Sequence, residues 1–274
     1  MKARYSIRLI AAAFIAIVAA SCSNIDPDER LNYVKPAEVG RAVLIEDFTG
    51  QKCPNCPRGT ERLNEIVETY GEDNVIVVGI HSGALGYAGT TKNVGLMTDE
   101  GNTYYTKWDK ENKIGQPWVL INRSQSPNNE LDTWMSPVTE LISKKAVLSV
   151  GISNAYDEAT RQLTIDVDAF GTNGSHSGKL QVWLIEDGIV AMQTLGNGSV
   201  DRNYVHNHVF RTSVNGTWGE DVSIKEGEHT YKTYNYTLPE KWNAEKVSVV
   251  AFVYDDNEVL QVAKKAATTS AEAE

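Results

Sequence analysis

Apolar and polar positions alternate with different periods in the two halves of the chain. From residue 41 the first half reads as strand, helix, strand. Arg41 to Phe48 is a largely apolar run that ends in a Thr-Gly turn, and residues 57–70 carry Leu63, Ile66, Val67 and Tyr70 on one helical face, closed by Gly71 as a C-cap. The run Val75 to Ile80, VIVVGI, has the continuous apolar character of a strand buried on both faces, so a βαβ unit with a parallel pair is expected. Residues 82–113 are first Gly- and Thr-rich and then aromatic at Tyr104, Tyr105 and Trp108. They predict a loop and a short helix, which either overhangs the end of the first strand or packs through its aromatics. A strand Trp118 to Asn122 opens after Pro117, and a helix is expected from Leu131 to Lys144, kinked or started at Pro137.

Beyond residue 145 the period becomes two, as in LTIDVDAF, KLQVWLIED, HNHVFR and KVSVVAFVYDD. About seven strands are expected, over 146–153, 161–170, 178–186, 204–212, 229–238, 246–255 and 258–264, separated by turns such as Gly196-Asn197-Gly198 and Asn215-Gly216. That pattern suggests an immunoglobulin-like β-sandwich over residues 146–265, followed by a tail over 266–274. His206 and His208 would share one face of a strand, a spacing that can ligate metal, but no third ligand is identifiable and no metal is assigned. Their alternative is an outward face or a hydrogen-bonded ledge.

Residues 1–21 have the layout of a signal peptide: Lys2, Arg4 and Arg8, then an apolar stretch from Leu9 to Ala20 that is too short to span a bilayer. Val18-Ala19-Ala20-Ser21-Cys22 resembles the lipobox of bacterial lipoproteins, which implies cleavage before Cys22 and its lipidation. Ordinary secretion, with Cys22 removed or left as a free thiol, is the alternative. Residues 22–40 are polar and proline-punctuated, a tether between lipid and domain. Its Asp26, Asp28 and Glu29 resemble the surface-export signals of Bacteroidetes lipoproteins, or are simply a solvated linker. Loss of the leader, with its three basic residues and no acidic one, deepens a net charge of −10, so nucleic acid is excluded as a partner.

The candidate chemistry sits at Cys53 and Cys56, a Cys-x-x-Cys pair where the first strand hands over to a helix. A helix N-terminus stabilises a thiolate, and Lys52 adds a positive charge beside it. Cys53 is expected to be the more exposed and reactive thiol, with Cys56 one turn inside. Two other readings stay open: half of a zinc site, for which no second Cys pair exists, and a structural disulfide that never exchanges. His81, closing the second strand, falls on the same sheet edge and either modulates the thiols or is a solvated strand end.

VLIEDFTGQKCPNCP followed by GQPWVLIN resembles the thioredoxin fold. That resemblance implies an α/β, thioredoxin-like domain over residues 41–145, with Pro117 as the cis-proline against the Cys-x-x-Cys and Gln116 as the residue whose backbone pairs with a substrate peptide. It also implies that Asp47 is the buried carboxylate that relays a proton to the inner thiol, with Glu46 in that role if the register differs by one. Lys52 replaces the usual Trp before the first Cys. The leader, EDFTGQKCPNCPRG, GQPWVLINR and YVHNHVFR together resemble the outer membrane protein 28-related lipoproteins of Bacteroidetes. The expected function is therefore thiol–disulfide exchange on extracytoplasmic proteins or peptides by a lipid-anchored outer-membrane protein without a cofactor, on either membrane face. The competing expectation is a surface binding protein whose Cys pair is only a clip.

Overall fold

The computed structural model describes residues 39–124 and 126–268. The leader, Cys22, nearly all of the tether and the last six residues of the tail lie outside the described residues. β1 (Val43–Thr49) pairs in parallel with β2 (Val75–His81) and antiparallel with β3 (Trp118–Ile121). Every residue of β2 is buried, as its uninterrupted apolar run requires. The crossover helix α1 (Cys56–Tyr70) has proline in its first turn, where a missing N–H is cheap, and ends at Gly71 in a positive-φ conformation (87°).

The alternation along β1 decides what each face meets. Val43 and Ile45 face α1 and a later helix α3 (Met135–Ile142), in a core with Leu63, Ile66, Trp134, Val138 and Leu141. Leu44 and Phe48 face the other way, against Tyr104 and Tyr105 of α2 (Asp99–Trp108) and against Trp118. The aromatics of the long connection are thus packing residues; Tyr104 is fully buried, and its hydroxyl donates to Thr217 O and accepts from Trp183 Nε1. The helix expected over 131–144 is a 3₁₀ turn at Leu131–Thr133 followed by α3, with Pro137 in the first turn of α3.

Ten strands follow. They are β4 (Leu148–Asp157), β5 (Gln162–Gly171), β6 (His176–Glu186), β7 (Ile189–Thr194), β8 (Val200–His206), β9 (Val209–Ser213), β10 (Glu220–Ile224), β11 (His229–Thr237), β12 (Val247–Tyr254) and β13 (Val259–Ala266). One sheet runs β13-β12-β6-β9-β2-β1-β3, with β10 added to β6, so strands from both halves of the chain share it. The seam is narrow: Gly79 pairs with Val209, and the Gly79 N–H donates to His208 O at 2.7 Å. A three-stranded sheet, β11-β5-β4, packs over the β6, β10, β12 and β13 end through Leu163, Ile165, Val167, Val182, Leu184, Val249 and Ala251. The fold is thus β-rich with few helices.

Two features depart from the seven expected strands. The stretch read as one strand over 204–212 is two, because His208 adopts φ 56° and its N–H turns to the Asp187 carboxylate. β8 and β9 consequently belong to different sheets, and β8 pairs only with β7 as a separate hairpin. β7 and β10 were not expected as strands; they are six and five residues long, too short for alternation to stand out.

Candidate functional site

Cys53 and Cys56 form a disulfide at the mouth of α1, with Cα atoms 5.4 Å apart. The turn that delivers them is built by the Cys53 N–H donating to Gly50 O at 3.0 Å and the Cys56 N–H to Cys53 O at 3.4 Å. Gly59, one turn into α1, faces Pro117 so closely that a Cβ there would meet the Pro117 ring at 2.8 Å. The Gln116–Pro117 bond is cis. Gln116 O stands 3.5 Å from Cys53 Sγ, a contact that becomes a thiol hydrogen bond only once the disulfide is opened. The Gln116 amide donates to Thr49 O and Ser82 O, tying the ends of β1 and β2 to the start of β3. Cys53, Cys56, Gln116 and Pro117 are thus brought together.

Asp47 and Glu46 point to opposite faces of β1, as consecutive strand residues must. Asp47 takes the α1 face, where it is 5% exposed and Oδ1 has no hydrogen-bond partner. Burial raises its carboxyl from 3.8 to about 7. Glu46 takes the other face and is locked in a two-pronged bond with Arg123, both contacts 2.8 Å. The Arg123 guanidinium lies 4.6 Å from the Tyr254 ring centre and 5.1 Å from that of Phe252. Glu46 is therefore an ion-pair residue in the core and is withdrawn as a candidate proton carrier.

A small cavity of about 30 Å³ lies on the inner side of the disulfide, lined by Asp47, Cys56, Thr60, His81, Gln193, Tyr204 and His206 among others. His81 is not a solvated strand end: it is 5% exposed, with its ring 5.1 Å from that of His206. Burial first, then the neighbouring His206 and Arg211, hold His81 well below the usual imidazole range. Burial likewise lowers His206 to about 4. His206 and His208 do not share a face. His206 caps β8 inside the cavity, while His208 sits beyond the break with Nδ1 3.3 Å from Asp187. Among the described residues no cluster of three or more His, Cys, Asp or Glu side chains could hold a metal ion.

Cys53 is not the exposed thiol of the pair. It is fully buried, and Cys56 is 2% exposed. Two segments cover them. Leu85 O accepts the Lys52 N–H at 2.9 Å, bringing the loop after β2 over the site, and exposed Lys52 lays its ammonium 5.4 Å from the Tyr87 ring centre. The second cover is the β7–β8 hairpin. Gln193 Nε2 donates to Cys53 O at 2.8 Å, and the Thr194 N–H donates to Gln51 O at 2.9 Å. Gln193, Tyr204 and the hairpin that carries them were missed from sequence; the contact joins residues 140 positions apart, and nothing local announces it.

A family model described as outer membrane protein Omp28 matches residues 101–271, and the chain belongs to that family. Its location at the outer membrane follows from that membership. Gln116, Pro117 and the hairpin fall inside the matched stretch, and the two cysteines precede it. The chain is similar in fold to HBP35 of Porphyromonas gingivalis, at 16% identity and a TM-score of 0.65, over 83% of this chain and 76% of that one. A domain of the outer membrane lipoprotein Omp28 from Porphyromonas gingivalis matches 43% of this chain and 94% of its own, at 26% identity and a TM-score of 0.32. No curated protein matches the chain. Among the described residues no helix is long and apolar enough to cross a membrane.

Proposed function

We propose that this outer-membrane protein is anchored by lipid at Cys22 and exchanges disulfides with extracytoplasmic proteins through Cys53 and Cys56. In this reading residues 41–145 are a thioredoxin-like domain, and residues 146–265 an immunoglobulin-like sandwich that positions a partner. Asp47 carries the proposal. A buried carboxyl with an unpartnered oxygen is expensive to keep, and a permanent clip has no use for it. An exchanging pair does, because the inner sulfur leaves as a thiolate and must gain a proton, and Asp47 lines the same cavity as Cys56. In the oxidised form, a partner thiolate attacks Cys53 Sγ, the Cys53–Cys56 bond breaks, and Cys56 leaves and takes the proton. A second partner thiol then displaces Cys53, so the partner gains a disulfide and this protein two thiols. The reverse sequence starts with Cys53 attacking a partner disulfide and ends with Cys56 resolving it.

Burial of both sulfurs favours a second reading, a surface binding protein with a structural disulfide. Cys56→Ser in the native envelope separates the two. Exchange yields mixed disulfides on Cys53 that are absent from the Cys53→Ser, Cys56→Ser double variant. No trapped partner, with a reduction potential below about −300 mV for the wild-type pair, establishes the clip.

A further inference from the structure

The β7–β8 hairpin does not belong to either main sheet and has almost no core of its own. Its buried apolar support is Ala191, with Leu96 and Val209 from neighbouring segments and Ile189 alongside. A lone two-stranded hairpin is marginally stable in water. Along β7 this one is held down by the disulfide turn. The Thr194 N–H donates to Gln51 O, Gln193 Nε2 to Cys53 O and Gln51 Nε2 to Met192 O at 3.1 Å. The Gly196-Asn197-Gly198 turn at the hairpin tip lies beside Pro54; a Cβ at Gly196 would sit 3.7 Å from Pro54 O. On the outer surface Val190 and Val205, which are cross-strand partners, are 54% and 51% exposed, and Val200 is 47% exposed. The inner face is thus committed to Cys53, and the outer face is apolar and uncovered.

We infer that residues Met192–Thr194 occupy, within the same chain, the place of the substrate. The substrate class is an extended polypeptide segment that takes over the backbone acceptors Gln51 O and Cys53 O once the hairpin lifts. The inference rests on the exchange reading for its chemistry, but the displaceable cap is a separate claim. The hairpin gates the disulfide by competition: main-chain N–H groups of an extended polypeptide replace the Gln193 side-chain amide and the Thr194 N–H, whereas a compact thiol too short to lie as a strand must wait for the hairpin to open by itself. The chain just past β8 is anchored where the Gly79 N–H donates to His208 O, so once the contacts of Met192–Thr194 are released the turn at 195–199 is the end that opens.

The test uses the full mature protein, its Gln193→Ala and Gln51→Ala variants, and Val205→Ser as an outer-face control. Disulfide cleavage is followed by thiol alkylation under native conditions with three reductants: a water-soluble phosphine, glutathione, and a reduced, unfolded ribonuclease. The first two variants should be cleaved by the phosphine several-fold to about tenfold faster than wild type, as loss of one or two hydrogen bonds predicts. Val205→Ser should match wild type. Cleavage in all proteins should depend weakly on urea, as local opening does, in contrast to the steep dependence of global unfolding. Wild type should be reduced in preference by the unfolded polypeptide, and Gln193→Ala should gain at least as much toward glutathione, which depends on spontaneous opening, as toward the polypeptide, which displaces the hairpin itself. Unchanged phosphine rates, or a urea dependence as steep as that of unfolding, overturn the cap. Faster phosphine cleavage with no electron transfer from the polypeptide dithiol leaves the cap standing, and overturns both the peptide-site assignment and the exchange reading.

Discussion

Replacing Asp47 by Asn isolates the cost of the buried acid. The Asp47 carboxyl is lifted from 3.8 to about 7 by burial, so the folded protein holds the proton more tightly than the unfolded chain does. Its contribution to stability is therefore complete below about pH 4 and is lost as the pH rises through 7. Each pKa unit is about 1.4 kcal/mol, so the gap is worth on the order of 4 kcal/mol. Asparagine has nearly the same shape and cannot ionise. Asp47→Asn should therefore be close to wild type near pH 4.5 and progressively more stable above it, by several kcal/mol at about pH 8. Urea unfolding with the disulfide intact, at four or five pH values, gives the difference directly. His81 and His206 are held low by burial, so their own contributions run the opposite way, complete above the usual imidazole value of 6.5 and lost as pH falls below it toward the folded value, about 4 for His206. Both are present in wild type and variant and cancel in the difference. A difference that stays flat from about pH 4.5 to 8 refutes the argument.

Two substitutions address the frame around the site. Glu46→Gln leaves the Arg123 guanidinium buried without its counter-charge, so urea unfolding should show a loss of about 3–5 kcal/mol; a loss under 1 kcal/mol would show that the aromatic rings alone hold Arg123. Gly59→Ala puts a methyl 2.8 Å from the Pro117 ring and should cost about 1–3 kcal/mol in the same assay, while Gly40→Ala, with nothing within 4 Å, should cost far less.

The β1–α1–β2 unit was legible because its signals are local: a fully apolar strand, a 3.6-residue stripe and a glycine at the helix end. The cysteines at the helix mouth were legible for the same reason. The choice between Asp47 and Glu46 was not. Alternation along β1 says only that the two point apart, and the face that α1 covers is settled by how the helix lies on the sheet. His206 and His208 show a different failure. Their spacing implied a shared face on the premise of an unbroken strand, and the left-handed residue at His208 breaks it. The covered state of Cys53 could not be read at all, since the covering amide lies 140 residues downstream in a strand too short to signal itself.

The position of the hairpin is itself a consequence of the seam in the large sheet. Gly79 near the end of β2 pairs with Val209 at the start of β9, and β9 is separated from β8 by only Asn207 and His208. Once β9 adds to β2, the end of β8 must lie at the C-terminal edge of β2, which brings His206 against His81. The register of β7 on β8 then decides the rest: Ile189 pairs with His206 and Gln193 with Asp201, so Gln193 reaches back over the start of α1 to Cys53. The cap and the sheet are therefore coupled through two residues. A change that loosens the His208 turn, such as removal of the Asp187 carboxylate that accepts the His208 N–H, should free the cap without touching the disulfide. Asp187→Ala should thus speed phosphine cleavage of Cys53–Cys56 while leaving Asp47 and α1 in place; an unchanged rate would mean that the hairpin is held by the disulfide turn alone.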